Sequence, residues 1–71
     1  MKNIVLKKTR EEKGLTQLQI ARLTGISELA YQNYELGKRI PRADIAIRIA
    51  ETLQSTVEVL FSGLNKLDHT D

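Results

Sequence analysis

The sequence predicts an all-α fold of five short helices, on three grounds. Apolar residues recur at helical spacing through most of the chain, and no alternating run reads as a strand. Gly14, Gly25 and Gly37 stand 11 and 12 residues apart, each after an apolar-periodic segment, as stops between helices in series. The chain has 71 residues, which makes one small domain with a marginal core, so packing must be efficient or a partner must help.

The first helix is expected from about Asn3 to Lys13. Ile4 (or Val5), Leu6, Thr9 and Arg10 lie at roughly helical spacing on its inner side, and Lys7, Lys8, Glu11 and Glu12 face solvent. Gly14 ends it, and Leu15 packs back on the last turn. Thr16 caps the second helix, with Gln19 completing a T-x-x-Q capping box, and Ile20, Ala21 and Leu23 form its apolar stripe. Thr24-Gly25 stops that helix, Ile26 is buried, and Ser27 caps the third. In the third helix Tyr31 and Tyr34 face inward beside the small Ala30, which leaves Glu28, Leu29, Gln32 and Asn33 outside. Leu36-Gly37 closes it. Lys38-Arg39-Ile40-Pro41 is a basic loop, and its proline prevents a helix from continuing through Ile40. The fourth helix follows from Arg42 or Ala43 to Leu53, with Ala46, Ile49, Ala50 and Leu53 inward. Thr56 caps a short fifth helix whose Val57, Leu60 and Phe61 return to the core. Gly63 is expected to interrupt it, giving a domain over residues 1–63 and a polar tail over residues 64–71.

The chain has no cysteine, which excludes a disulfide scaffold and a thiolate metal site. Its apolar runs are too short to span a bilayer and its N-terminus lacks a secretory pattern, so a cytoplasmic protein is expected. The net charge of +2 is unevenly spread: residues 1–48 carry ten Lys/Arg against five acids, and residues 49–71 carry Lys66 against four acids. A basic front and an acidic end suit a protein that turns one face to a polyanion. His69, the single histidine, lies in the polar tail and reads as neither a metal ligand nor a general base. No paired carboxylates, nucleophile–base arrangement or phosphate-cradling glycine loop is present, so neither an enzyme nor a cofactor is expected.

Two helices joined by three or four residues, the second with amide side chains outward, form a helix-turn-helix pattern from Thr16 to Glu35. The run LKKTREEKGLTQLQIARLTGIS, followed by YQNYELGKRIP, resembles the phage Cro/repressor-type helix-turn-helix family, also called XRE-like. The resemblance covers roughly Ile4 to Phe61. Its specific part is Arg10, Gly14-Leu15-Thr16-Gln17, Ala21, Gly25, Glu35 and Gly37 in register. It implies a compact five-helix repressor-like domain that lays its third helix in the major groove of double-stranded DNA. By position it implies that Thr16 and Gln17 meet the DNA at the start of the second helix, with Gln17 on a phosphate. Ser27, Glu28, Leu29, Gln32 and Asn33 meet the groove, and Lys38 and Arg39 track the backbone. Arg10 and Glu35 correspond to a structural ion pair. Tyr31 stands where a branched aliphatic is usual, Arg42 where a Ser-type cap is common, and Glu28 where glutamine is common. A carboxylate at residue 28 either accepts from a cytosine amino group or avoids the DNA.

The function this implies is a sequence-specific transcriptional regulator, most simply a repressor on a palindromic operator, in a bacterial or phage-encoded setting. The same fold also serves antitoxins that bind a toxin protein, and restriction–modification controllers. A homodimer is expected, because a two-fold pair reads two half-sites about one helical turn apart. Val57, Leu60, Leu64 and Leu67 fall at i, i+3, i+7 and i+10, a stripe longer than the fifth helix needs for itself, and are the expected interface.

Overall fold

Asn3 starts the fold by making three connections at once. Its side-chain carbonyl accepts from the Leu6 N–H at 3.0 Å and caps the first helix. Its carboxamide nitrogen donates to the Leu60 carbonyl at 2.9 Å, and its backbone N–H donates to the Glu35 carbonyl at 2.8 Å. The chain's entry is thereby fixed to both the third and the fifth helix. The computed structural model describes residues 2–68, with side chains described through Ser62. Five helices follow in order: α1 (Ile4–Glu12), α2 (Gln17–Thr24), α3 (Glu28–Leu36), α4 (Ala43–Thr52) and α5 (Val57–Asp68). Among the described residues there is no strand, and no helix is long and apolar enough to cross a membrane.

The core is built from one or two faces of every helix. Leu6 of α1, Ile20 and Ala21 of α2, Tyr31 of α3, and Ile45, Ala46, Ile49 and Ala50 of α4 meet Leu53, Leu60 and Phe61 in a single cluster. Leu15, Ile26, Tyr34 and Val57 pack around its edge, half-buried. α2 lies against both α3 and α4, and α5 closes the far side against α1 and α4. The second helix thus rests on α4, and the third is carried by α2 with support from α1.

Helix phase departs from the sequence expectation in two places. Ile4 is 72% exposed and Val5 is also exposed, because Leu6 and Arg10, four residues apart, set the buried face of α1. Leu23 was expected inward and is 63% exposed. Thr24 takes the inner position instead, its hydroxyl donating to the Ile20 carbonyl at 2.7 Å and satisfying itself within the helix. A polar residue that bonds back to its own turn can replace an apolar one in a core, and a hydrophobicity pattern does not reveal this.

The C-terminal end gives two further corrections. The interruption expected at Gly63 falls at Phe61, where the backbone leaves helical values (φ −128°, ψ 15°). The Leu60 carbonyl just before that break is the one that accepts from Asn3. Leu60 is expected both in the core and on a partner-facing stripe; it is 2% exposed and belongs to the core of its own chain, so only the first expectation is met. Val57, half-buried, also packs against that core. Leu64 and Leu67 lie outside the residues with described side chains, and His69 lies outside the described residues altogether.

Candidate nucleic-acid interface

Local capping fixes where α2 and α3 begin. Thr16 Oγ1 accepts from the Gln19 N–H at 3.0 Å, while Gln19 Oε1 accepts from the Thr16 N–H at 2.8 Å, a reciprocal capping box. The Thr16 hydroxyl is therefore already engaged as an acceptor. Gly25 closes α2 at φ 76°, a left-handed value that a side chain would strain. Ser27 Oγ then accepts from the Ala30 N–H at 3.0 Å and starts α3.

The seating of α3 is asymmetric. Tyr31 and Glu35, one turn apart, point inward and are buried. Glu28 and Leu29 stand out into solvent, Leu29 at 66% exposure, and Gln32 and Asn33 lie half-buried on the flanks. After Gly37 the chain turns back on the helix, with the Lys38 and Arg39 N–H groups both donating to the Asn33 carbonyl, at 2.9 and 3.3 Å. The Lys38 and Arg39 side chains are exposed at that corner. Ser27, Glu28, Leu29, Gln32, Asn33, Lys38 and Arg39 therefore come from one helix and the turn tied to its end.

Beneath α3 is a buried polar network. Arg10 Nε donates to Glu35 Oε2 at 2.6 Å and Arg10 Nη2 to Glu35 Oε1 at 3.3 Å, a two-pronged pair with both side chains nearly fully buried. Arg10 Nη1 donates to the Leu15 carbonyl at 2.8 Å, which ties α1 to the turn before the capping box. Gln17 Nε2 donates to Glu35 Oε1 at 3.0 Å. Burial by itself would raise the Glu35 carboxyl, but the bonds from Arg10, the nearby Tyr31 hydroxyl and the bond from Gln17 hold it below the usual carboxylate range. Its bond to Glu35 raises the Arg10 guanidinium in turn. The Tyr31 hydroxyl is buried against this pair and, among the described residues, has no hydrogen-bond partner of its own. Burial first, and the adjacent Glu35 carboxylate second, push its phenol above the ordinary value.

Two contacts in this region have no counterpart in the sequence reading. Gln17 was assigned to a phosphate by resemblance, and nothing in its sequence position indicated that it also donates to Glu35. Arg48, on the exposed side of α4, brings Nη1 within 3.5 Å of the Thr24 carbonyl and supplies positive charge to the C-terminal end of α2. Only the packing of α3 and of α4 on α2 brings these two pairs together, so no local signal could have found them.

Two capped helices at a short glycine turn, the second exposing one face and rooted by the other, define a helix-turn-helix protein. A helix-turn-helix family model matches residues 6–60, and the chain belongs to that family, in its XRE-type branch. It is also similar to a protein of Bacillus subtilis (strain 168) described as the uncharacterized HTH-type transcriptional regulator YqaE. The two are 41% identical over 58 residues, covering 82% of this chain and 50% of that one. The chain thus spans half the length of that relative.

Proposed function

We propose that the chain is a sequence-specific double-stranded DNA-binding transcriptional regulator, a repressor that occupies a palindromic operator as a dimer. The observation that carries this is the asymmetric seating of α3, which is anchored by Tyr31 and Glu35, turns Glu28 and Leu29 outward and carries the half-buried Gln32 and Asn33 on its flanks. A helix held in this way fits the major groove, whose base edges amide side chains read and whose thymine methyl an exposed leucine can meet. Lys38 and Arg39, exposed beside it, supply the charge that phosphates require. Family membership and the regulator named among its relatives support the same reading.

In this reading Gln32 and Asn33 contact bases, while Gln17 and Lys38 hold phosphates. The dimer forms through the C-terminal end, with Leu60 supporting it from inside the core rather than touching the partner. Selecting bound duplexes from a random pool tests both points. The recovered sites are expected to be two-fold symmetric, with half-sites about one helical turn apart. Asn33→Ala is expected to cost roughly 1–3 kcal/mol and relax one base position, whereas Lys38→Ala weakens all sequences alike and lowers the salt slope by about one unit. Uniform losses in both variants would refute the division of labour, and unpaired half-sites in the pool would refute the dimer.

A further inference from the structure

Glu35 is buried and cannot touch DNA, yet one of its oxygens holds the side chain of Gln17. A carboxylate only accepts, so the Gln17 carboxamide can face it in one orientation alone, nitrogen inward. One of the two Nε2 protons is then committed to Glu35 Oε1 at 3.0 Å, and among the described residues the other has no partner. Gln17 and Glu35 both line a shallow groove of about 260 Å³ whose other walls include Lys2, Lys7 and the capping residue Asn3. Two lysines at this groove draw an anion to it. The carboxylate does not repel that anion, because Arg10 neutralises it through two bonds.

We propose that Glu35 is a positioning residue for phosphate recognition. It locks the Gln17 carboxamide so that a second N–H, and not the carbonyl oxygen, is offered to a DNA backbone phosphate in the groove lined by Lys2 and Lys7. This rests on the DNA-binding reading above and adds a role for a residue that reading leaves structural. Arg10 serves the arrangement twice: it cancels the charge of Glu35 and, through the Leu15 carbonyl, fixes the turn that delivers Gln17. A free glutamine would present its oxygen as readily as its nitrogen, and an oxygen facing a phosphate is repulsive.

The sign of one substitution separates positioning from mere charge. Removing a carboxylate near a polyanion should raise affinity for DNA, since it leaves the positive charge of Arg10 uncompensated. If Glu35 positions Gln17, Glu35→Gln instead lowers affinity for short random-sequence duplexes, by roughly tenfold for the loss of a bond to a charged group. In a Gln17→Met background the same substitution should no longer lower it. Both measurements are made at low salt and expressed per folded protein. Nitrogen–proton NMR of the Gln17 carboxamide in the unmodified chain, assigned from the signals missing in Gln17→Met, gives a second readout that needs no variant at residue 35. One of its protons is expected to be protected from exchange in the free protein, and only the other to shift when duplex is added. Glu35→Gln raising affinity equally in both backgrounds, or duplex shifting α3 signals but neither Gln17 proton, would overturn the positioning role and leave DNA binding standing. Duplex that shifts no signal at all would overturn both.

Discussion

The two halves of this domain are held together by different means. From α1 to α3 the chain is fixed by directional bonds: Asn3, Thr16 and Ser27 cap three helices, and Arg10, Glu35, Gln17 and the Leu15 carbonyl are joined beneath α3. From α4 onward apolar packing does most of the work. Arg42 starts α4 with no side-chain cap, and its guanidinium lies in an exposed pair with Asp44 at 3.4 Å. Ile45, Ala46, Ile49, Ala50, Leu53, Leu60 and Phe61 supply most of the core. Directional bonds fix position and orientation; packing supplies most of the burial. A surface that must meet a partner at defined atoms needs the first, and a platform beneath it needs the second.

The largest test of this contrast is at the ion pair. Arg10→Met is expected to cost about 3–5 kcal/mol, because it leaves Glu35 buried and uncompensated. Leu60→Ala in the other half should cost a comparable 2–5 kcal/mol or so, by lost burial and a cavity. The two losses differ in their response to acid. Glu35 has its folded value depressed below the ordinary 4.5, so the stability it contributes is present above that value. That stability is lost as pH falls through the folded value. Denaturant melts from neutral pH downward should therefore show an acid-dependent loss in the unmodified chain and in Leu60→Ala, and a reduced one in Arg10→Met. A loss under about 1 kcal/mol for Arg10→Met would place the pair among exposed ones.

The same contrast explains what could be read from the sequence. Caps and stops are local: Thr16 with Gln19, Ser27, Gly25 and Gly37 act on residues within a few positions, so their roles were legible. The Arg10–Glu35 correspondence came from the family register, not from spacing, since the two residues are 25 positions apart. Misplaced features were those decided by packing at a distance. Gly63 was a reasonable stop by local rules, but the break sits at Phe61, where Asn3 takes the preceding carbonyl from across the fold. Helical spacing placed Leu60 both in the core and on an outward stripe, and only the close of α5 against α1 and α4 decides for the core. Leu23 failed because its neighbour Thr24 could hide its own hydroxyl.

A smaller effect is expected where the two halves differ in capping. Thr16→Ala removes a cap whose oxygen is bonded, and should cost roughly 1 kcal/mol. Arg42→Ser introduces a capping oxygen where none acts, and should stabilise by an amount of the same order or less. Paired thermal melts read both. If Arg42→Ser gave no gain, the start of α4 would be governed wholly by its packing, and the contrast between the halves would be deeper than capping alone suggests.

The smallest effect concerns the turn between α4 and α5, where Gln54 sits at φ 55°. It is the one non-glycine residue with positive φ among those described. The three turns of the directional half place glycine at such angles, at Gly14, Gly25 and Gly37. A left-handed glutamine costs of the order of 1 kcal/mol, and glycine would relieve it. Against this stand the greater freedom that glycine gives the unfolded chain, about 0.4–1 kcal/mol, and the loss of an exposed bond from Lys13 Nζ to Gln54 Oε1 at 2.7 Å. An exposed bond of this kind contributes little. The balance for Gln54→Gly is a gain of no more than about 1 kcal/mol. Lys13→Ala supplies the control, since it removes the bond and keeps the backbone strain. Should Gln54→Gly lose stability while Lys13→Ala loses as much, the bond between α1 and this turn would outweigh the strain, and directional bonding in the C-terminal half would extend beyond the Thr56 cap that accepts from the Val59 N–H at 3.1 Å.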